Sequence, residues 1–184
     1  MAVWFWYFMC YSFLGFVLEV FYARATRSSK LDRKCLFLLP LCPVYGLGAL
    51  FILALPTPVR EQPLLLVPAA ALLCTAAEYL MGLFYEKVTL VSFWDYSHLR
   101  GNVGGKICPA FSAAWGVLAA VVAYLIHPVV ARLVPLIPPA VTVTTALALS
   151  ADSLLSVVLL RRARSAQVLR WYDRLPHPFR PVRT

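Results

Sequence analysis

Three carboxylates fall where water is scarce. Glu19, Glu78 and Asp152 each lie inside a long apolar run. A charged side chain near the centre of a bilayer costs about 2.5–3.5 kcal/mol on insertion scales, so three in one short chain call for a compensating use. All three fall at similar depth, two to three helical turns from the same face. Together they predict one shared polar cavity. A carboxylate withdrawn from water can exchange a proton or bind a cation, which is the chemistry of transport. Grouped carboxylates can also hold a divalent metal and serve hydrolysis or transfer on a lipid-borne substrate. The plainer reading pairs each with a cation for packing, and Lys106 and Arg27 are the available partners.

A second set of polar groups lies between Glu78 and Cys108. It contains Trp94, Asp95, Tyr96 and Ser97, then Asn102, Gly104, Gly105 and Lys106. One reading is an interfacial loop, with the aromatics at headgroup level, Asp95 capping a turn and the glycines relaxing the backbone. The other, which we favour, is a short re-entrant segment that carries Asp95, Asn102 and Lys106 to the mouth of the carboxylate cavity. Backbone at that depth must be buried in protein or line water. Gly101, Gly104 and Gly105 do not make a Walker loop, and Ser97, Ser112 and Ser153 lack a His/Asp pairing for a nucleophile. Histidine gives no metal cluster either: His98 and His127 fall on opposite sides of the membrane, and His177 is in the tail. Zinc is therefore not expected. No cofactor is required by the sequence, and a divalent cation such as Mg²⁺ or Ca²⁺ is the one candidate the carboxylates admit.

The elements that position these groups follow from composition. Of the 184 residues, 61% are hydrophobic and 14% charged, and mean hydropathy is +0.76. Soluble domains carry about a quarter charged residues, so the chain reads as an all-α, polytopic helical membrane protein. Five apolar segments can span: about 3–22, 35–55, 64–85, 107–126 and 139–160. Pro40 and Pro43 interrupt the second, near Tyr45, and a broken helix there exposes backbone that can bind a ligand. The segment 127–139, dense in proline, is expected to break the helix and lie on the surface. No basic region precedes the first apolar run, so it is expected to remain as a span.

Basic residues set the orientation. Of 17 Lys and Arg, all but Arg60 and Arg132 fall in 23–34, 86–106 or the tail after Leu160. The positive-inside rule then places the N-terminus outside and the C-terminus in the cytoplasm. The net charge of +9 is accounted for by topology and by contact with anionic lipid headgroups, so nucleic acid is not an expected partner. The tail 161–184 interleaves Val168, Leu169, Trp171, Tyr172 and Leu175 with arginines, as an interfacial helix does. The five cysteines of the chain, Cys10, Cys35, Cys42, Cys74 and Cys108, show no metal spacing and read as apolar packing residues. Residues 1–160 form one transmembrane domain. Within it, 1–56 and 64–126 suggest a parallel repeat: a carboxylate, a basic loop, then Cys-Pro (Cys42-Pro43, Cys108-Pro109) opening the next apolar run.

These residues resemble the bacterial family labelled ABC-transporter type IV permease, CmpB-like, to which the eukaryotic TMEM229 proteins are related. The resemblance rests on Tyr11 to Glu19, Leu38 to Ala49, Glu78-Tyr79, Phe93 to Ser97, Asn102 to Cys108, Trp115-Gly116, Ile126 to Pro128, and Asp152. It departs at Leu39-Pro40-Leu41, where the family reads Gly-Pro before Cys-Pro, and at Lys106, where arginine is common. The carboxylates, taken with the resemblance, lead us to expect a transport or channel component of the bacterial cytoplasmic membrane that moves a small polar or charged solute. Any ATPase would be another protein, since the chain lacks a P-loop. Its small size implies a homo-oligomer or a partner subunit. A membrane-embedded enzyme acting on lipid or isoprenoid substrates and a non-catalytic scaffold are the competing readings. The translocation residues expected are Glu19, Glu78, Asp152, Asp95, Asn102, Lys106 and Tyr45.

Overall fold

The computed structural model describes residues 2–26 and 34–171. Among them the chain is helical throughout, apart from loops and one isolated bridge between Val103 and Ile107. Seven helices follow in order: α1 Ala2–Ala25, α2 Pro43–Leu53, α3 Thr57–Glu61, α4 Pro63–Phe84, α5 Pro109–Val121, α6 His127–Leu133 and α7 Pro139–Ala163. A π turn extends α4 to Thr89, and another joins α5 to α6. Four helical stretches are long and apolar enough to cross a membrane: Ala2–Ala25, Pro63–Thr89, Pro109–Leu136 and Pro139–Ala163. Their outer faces remain apolar, with Leu64 89% and Leu154 71% exposed. Helices apolar on every side are solvated by lipid tails, and the chain is an integral membrane protein.

The segment expected to form the second span is half helix and half irregular, bent chain. Proline explains the division. Pro43 sits in the first turn of α2, where its missing N–H costs nothing, and it keeps Cys42 out of the helical region, at φ -119 and ψ 89. Within residues 35–42, Leu41 N–H turns back to the carbonyl of Leu39 at 2.9 Å. Other amides of the segment are taken by other elements: Phe37 N–H donates to Ser156 Oγ at 2.8 Å. Leu38 N–H reaches both oxygens of Asp152 at 3.0 and 3.1 Å, and Leu39 N–H reaches Asp152 Oδ2 at 2.7 Å. Cys42 N–H donates to the carbonyl of Ser12 at 2.9 Å.

The segment after Ile126 is also not the surface connection expected of four prolines. The helix continues through Pro128 to Leu136. The π turn Val122–Ile126 immediately precedes His127-Pro128. Widening the turn there accommodates a proline that lacks its amide and crowds the preceding turn. The break comes later, at Ile137 and Pro138, whose backbone is extended, and Pro139 opens α7.

Packing builds a layered bundle. α1 lies on α2, α2 on α4, and α4 on α5, while α7 closes on α1 and on the π turn after α4. Glycine allows the close approaches: a Cβ on Gly46 would strike Ser12 and Phe8 of α1, and one on Gly116 would lie 2.8 Å from the carbonyl of Val67. One end of the bundle gathers Cys35, Cys42, Tyr85, Phe93, Leu160 and Leu169 into a core cluster. Arg24, Lys34, Lys87, Arg100, Lys106 and Arg161–Arg164 flank this basic end. At the opposite end Tyr11, Ala49, Leu53, Val130 and Val134 cluster, and Trp6 Nε1–H donates to Thr142.

Candidate functional site

α1 and α4 each carry a carboxylate toward the basic end, and both line one cavity of about 230 Å³. One water occupies only about 10–15 Å³ on the same measure, so the space admits a ligand. Glu19 and Glu78 are buried, 7% and 4% exposed. Tyr45, three residues after Cys42, donates its hydroxyl to Glu19 Oε1 at 2.8 Å. Glu78 is held at both oxygens: Tyr96 O–H donates to Oε1 at 2.9 Å, and Trp115 Nε1–H donates to Oε2 at 3.0 Å. Tyrosine and tryptophan are donors of no charge, and these bonds orient the acidic oxygens. Tyr45 and Trp115 also meet each other, ring centroids 4.9 Å apart. That contact joins the first hairpin, α1 with α2, to the second, α4 with α5.

The rest of the wall is aromatic. Tyr22, Phe93, Trp94 and Phe111 line the same cavity, and Tyr96 stacks on Phe111 with centroids 4.6 Å apart and 14° between planes. The thiols of Cys35 and Cys42, 3.6 Å apart, complete the side facing α7. The interfacial-loop alternative put Trp94 and Tyr96 at headgroup level, and Phe93, Phe111 and Trp115 were not among the expected site residues. The only signal was aromatic residues recurring beside buried carboxylates, which by itself is also the pattern of a packed core.

The segment between Val91 and Cys108 serves as the frame for these rings. Asn102 staples it, donating Nδ2–H to the carbonyls of Leu99 at 2.7 Å and Ser97 at 3.2 Å, and accepting from Gly105 N–H at 3.1 Å. Asp95 Oδ1 accepts from Ser97 N–H at 2.8 Å. That amide, and after it the Ser97 hydroxyl, holds the Asp95 carboxyl below its usual 3.8. Gly105 has φ +68, and a Cβ there would lie 2.7 Å from Asp95 Oδ1. Trp94 Nε1–H donates to the carbonyl of Lys106 at 2.9 Å, and Tyr96 N–H to that of Gly105 at 2.7 Å. The loop thus aims Trp94 and Tyr96 inward.

Of the seven residues expected at one cavity, three line it: Glu19, Tyr45 and Glu78. Asp152 lies elsewhere, its oxygens taken by the amides of Leu38 and Leu39. The expected convergence of three carboxylates is therefore a convergence of two. Asp95 and Asn102 are bound within their own loop rather than at the cavity wall. Lys106 Nζ pairs with Glu86 Oε2 at 2.6 Å and donates to the carbonyl of Gly104 at 3.3 Å, while its stem lies against Gly82 of α4. Arg27, the other partner considered, lies outside the described residues, as do Tyr172 and Leu175 of the expected tail helix. Within the described part of that tail, Ala166–Leu169 form a 3₁₀ turn, Leu169 is buried, and Trp171 Nε1–H donates to the carbonyl of Phe37. Among the described residues no three of His, Cys, Asp and Glu gather as metal ligands would. The metal-dependent reading finds no ligand set among them.

Toward the opposite end a second cavity, of about 300 Å³, adjoins the first. Leu18, Tyr45, Trp115 and Leu118 border both. The second cavity runs to Tyr11, whose hydroxyl lies 2.9 Å from His127 Nδ1. His127 in turn borders a smaller pocket near Arg60 and Glu61.

No curated protein and no solved structure matches the chain. A family model does, across residues 6–159, and that stretch holds both hairpins, the framed loop and Asp152. The chain belongs to the family described as "Putative ABC-transporter type IV".

Proposed function

We propose that the chain is a transport or channel component that moves a small polar or charged solute through the cavity lined by Glu19 and Glu78. One observation carries this reading: two carboxylates from two different helices, each costly to bury, are turned into the same ligand-sized space. The cavity, a broken helix and a second cavity beyond it recur in transporters, where discontinuous helices mark the substrate site. The family name supports the same class.

In this reading the basic end faces the cytoplasm of a bacterial cell, by the distribution of Lys and Arg. The chain crosses five times, with residues 35–53 as the broken second crossing. It works as a homo-oligomer or beside a partner subunit. Anionic headgroups meet the basic loops and tail.

The test is flux. Proteoliposomes carrying the purified protein are given gradients of Na⁺, K⁺ or tetramethylammonium, read with a voltage-sensitive dye. The wild type is expected to pass at least one of them above empty liposomes. Glu19→Gln with Glu78→Gln is expected to lower that flux more than tenfold at equal incorporation. Flux unchanged in the double variant, or absent for every probe in the wild type, overturns the reading.

A further inference from the structure

The two adjoining cavities specify more than a charge. The first offers two buried carboxylates inside a cage of rings from Tyr22, Phe93, Trp94, Tyr96, Phe111 and Trp115. Ring faces and carboxylates are both attractive to a cation, and an aromatic cage favours an organic ammonium over a small, strongly hydrated ion. The second cavity is apolar almost throughout. Leu14 and Leu18 of α1 form one wall, Leu118 and Val121 of α5 the other, and Ile52 and Cys74 the floor.

The placement of the walls matters. α1 packs on α2 and α5 packs on α4, while α2 and α4 pack on each other. α1 and α5 are therefore the flanks of a cleft with α2 and α4 behind it. Leu14, Leu18 and Val121 at its rim are each more than a third exposed, on a surface that faces lipid tails.

We infer that this cleft binds an amphiphilic organic ammonium, with its cationic head among the rings between Glu19 and Glu78 and its apolar chain along the α1–α5 cleft, entering sideways from the bilayer. An inorganic cation would leave the rings and the second cavity unused. An anion would meet two carboxylates. A sugar would find little but hydrocarbon and ring surface beyond the two acids. Tyr45 and Trp115, which border both cavities, would then sit where head meets chain. The inference deepens the transport reading by naming its cargo, and it rests on that reading only for the statement that the ligand moves.

The experiment is isothermal titration of the protein in nanodiscs, with empty nanodiscs subtracted. The probes are decyltrimethylammonium, tetramethylammonium, decanol and decanoate. Decyltrimethylammonium is expected to bind saturably and at least tenfold tighter than each of the others. Glu19→Gln with Glu78→Gln is expected to weaken it at least tenfold. Val121→Trp, which fills the second cavity alone, is expected to weaken decyltrimethylammonium more than tetramethylammonium. Equal binding of decanol or decanoate, non-saturable partitioning only, or no effect of the Glu19 and Glu78 changes overturns the inference. Saturable binding without flux of any probe sinks the transport reading and leaves the site. Flux of Na⁺ or K⁺ without ammonium binding sinks the inference and leaves transport.

Discussion

At the scale of the residue, Asp152 and Glu78 are the same functional group at nearly the same burial, 2% and 4% exposed. Their partners separate them. Asp152 spends its oxygens on the backbone amides of Leu38 and Leu39 in the non-helical segment before α2. Removing it leaves two amides unsatisfied at membrane depth, each costing about 1–3 kcal/mol. Asp152→Ala is therefore expected to destabilise the protein by about 3 kcal/mol, seen as a lower melting temperature in detergent. Asp152→Asn keeps one acceptor oxygen and should cost less. Glu78→Gln keeps an acceptor for Tyr96 or Trp115 and should leave the melting temperature nearly unchanged while flux falls. The sequence placed both carboxylates in apolar runs, but an apolar run does not say which way a helix is turned. Rotation about the axis of α7 decides whether an acid meets a cavity or a neighbouring loop, and that is fixed by long-range packing.

At the scale of the element, the loop from Val91 to Cys108 shows how much a few turn residues determine. Gly105→Ala places a Cβ against Asp95 Oδ1 at a left-handed backbone position. The backbone term alone costs about 1–2 kcal/mol. Tyr96, whose N–H is bound to the carbonyl of Gly105, should shift from Glu78, and faster hydrogen exchange of the Tyr96 amide is the measurement. The Asp95 carboxyl is held below its unfolded value by the Ser97 amide. Its contribution is fully present above pH 3.8 and is lost as pH falls through the lower folded value. Asp95→Asn should abolish that acid dependence of Ser97 amide exchange. The glycines, Asn102 and Asp95 were legible as turn chemistry. The re-entrant assignment was not met for their side chains, because turn residues bind their own loop first and leave the aromatics between them to reach inward. The helix through Pro128 was illegible for a different reason. Proline marks where an α-helical bond is lost, but not whether a π turn will absorb the loss.

At the scale of the molecule, the helical membrane class followed directly from composition, because no soluble core could bury so much hydrocarbon in so short a chain. The distribution of Lys and Arg supports the proposed placement of the ends. Proteins with a fluorescent reporter fused after Thr184 should light up inside bacterial cells, and a periplasmic reporter at the N-terminus should be active; the reverse pattern would invert the bundle. The two hairpins meet through Tyr45 and Trp115, each of which also holds a carboxylate. Gly116→Val, pushing α4 from α5 at the carbonyl of Val67, should cost about 1–3 kcal/mol through overpacking. It should also loosen the bond from Trp115 to Glu78.

The account turns on Glu19 and Glu78 facing a common space that a ligand can reach, while Asp152 does not. Treatment of the membrane-embedded protein with dicyclohexylcarbodiimide, followed by peptide mass spectrometry, reads this directly. We expect adducts on Glu19 and Glu78, both reduced by decyltrimethylammonium, and Asp152 spared. Labelling of Asp152 equal to that of Glu78, or protection of neither glutamate, would contradict it.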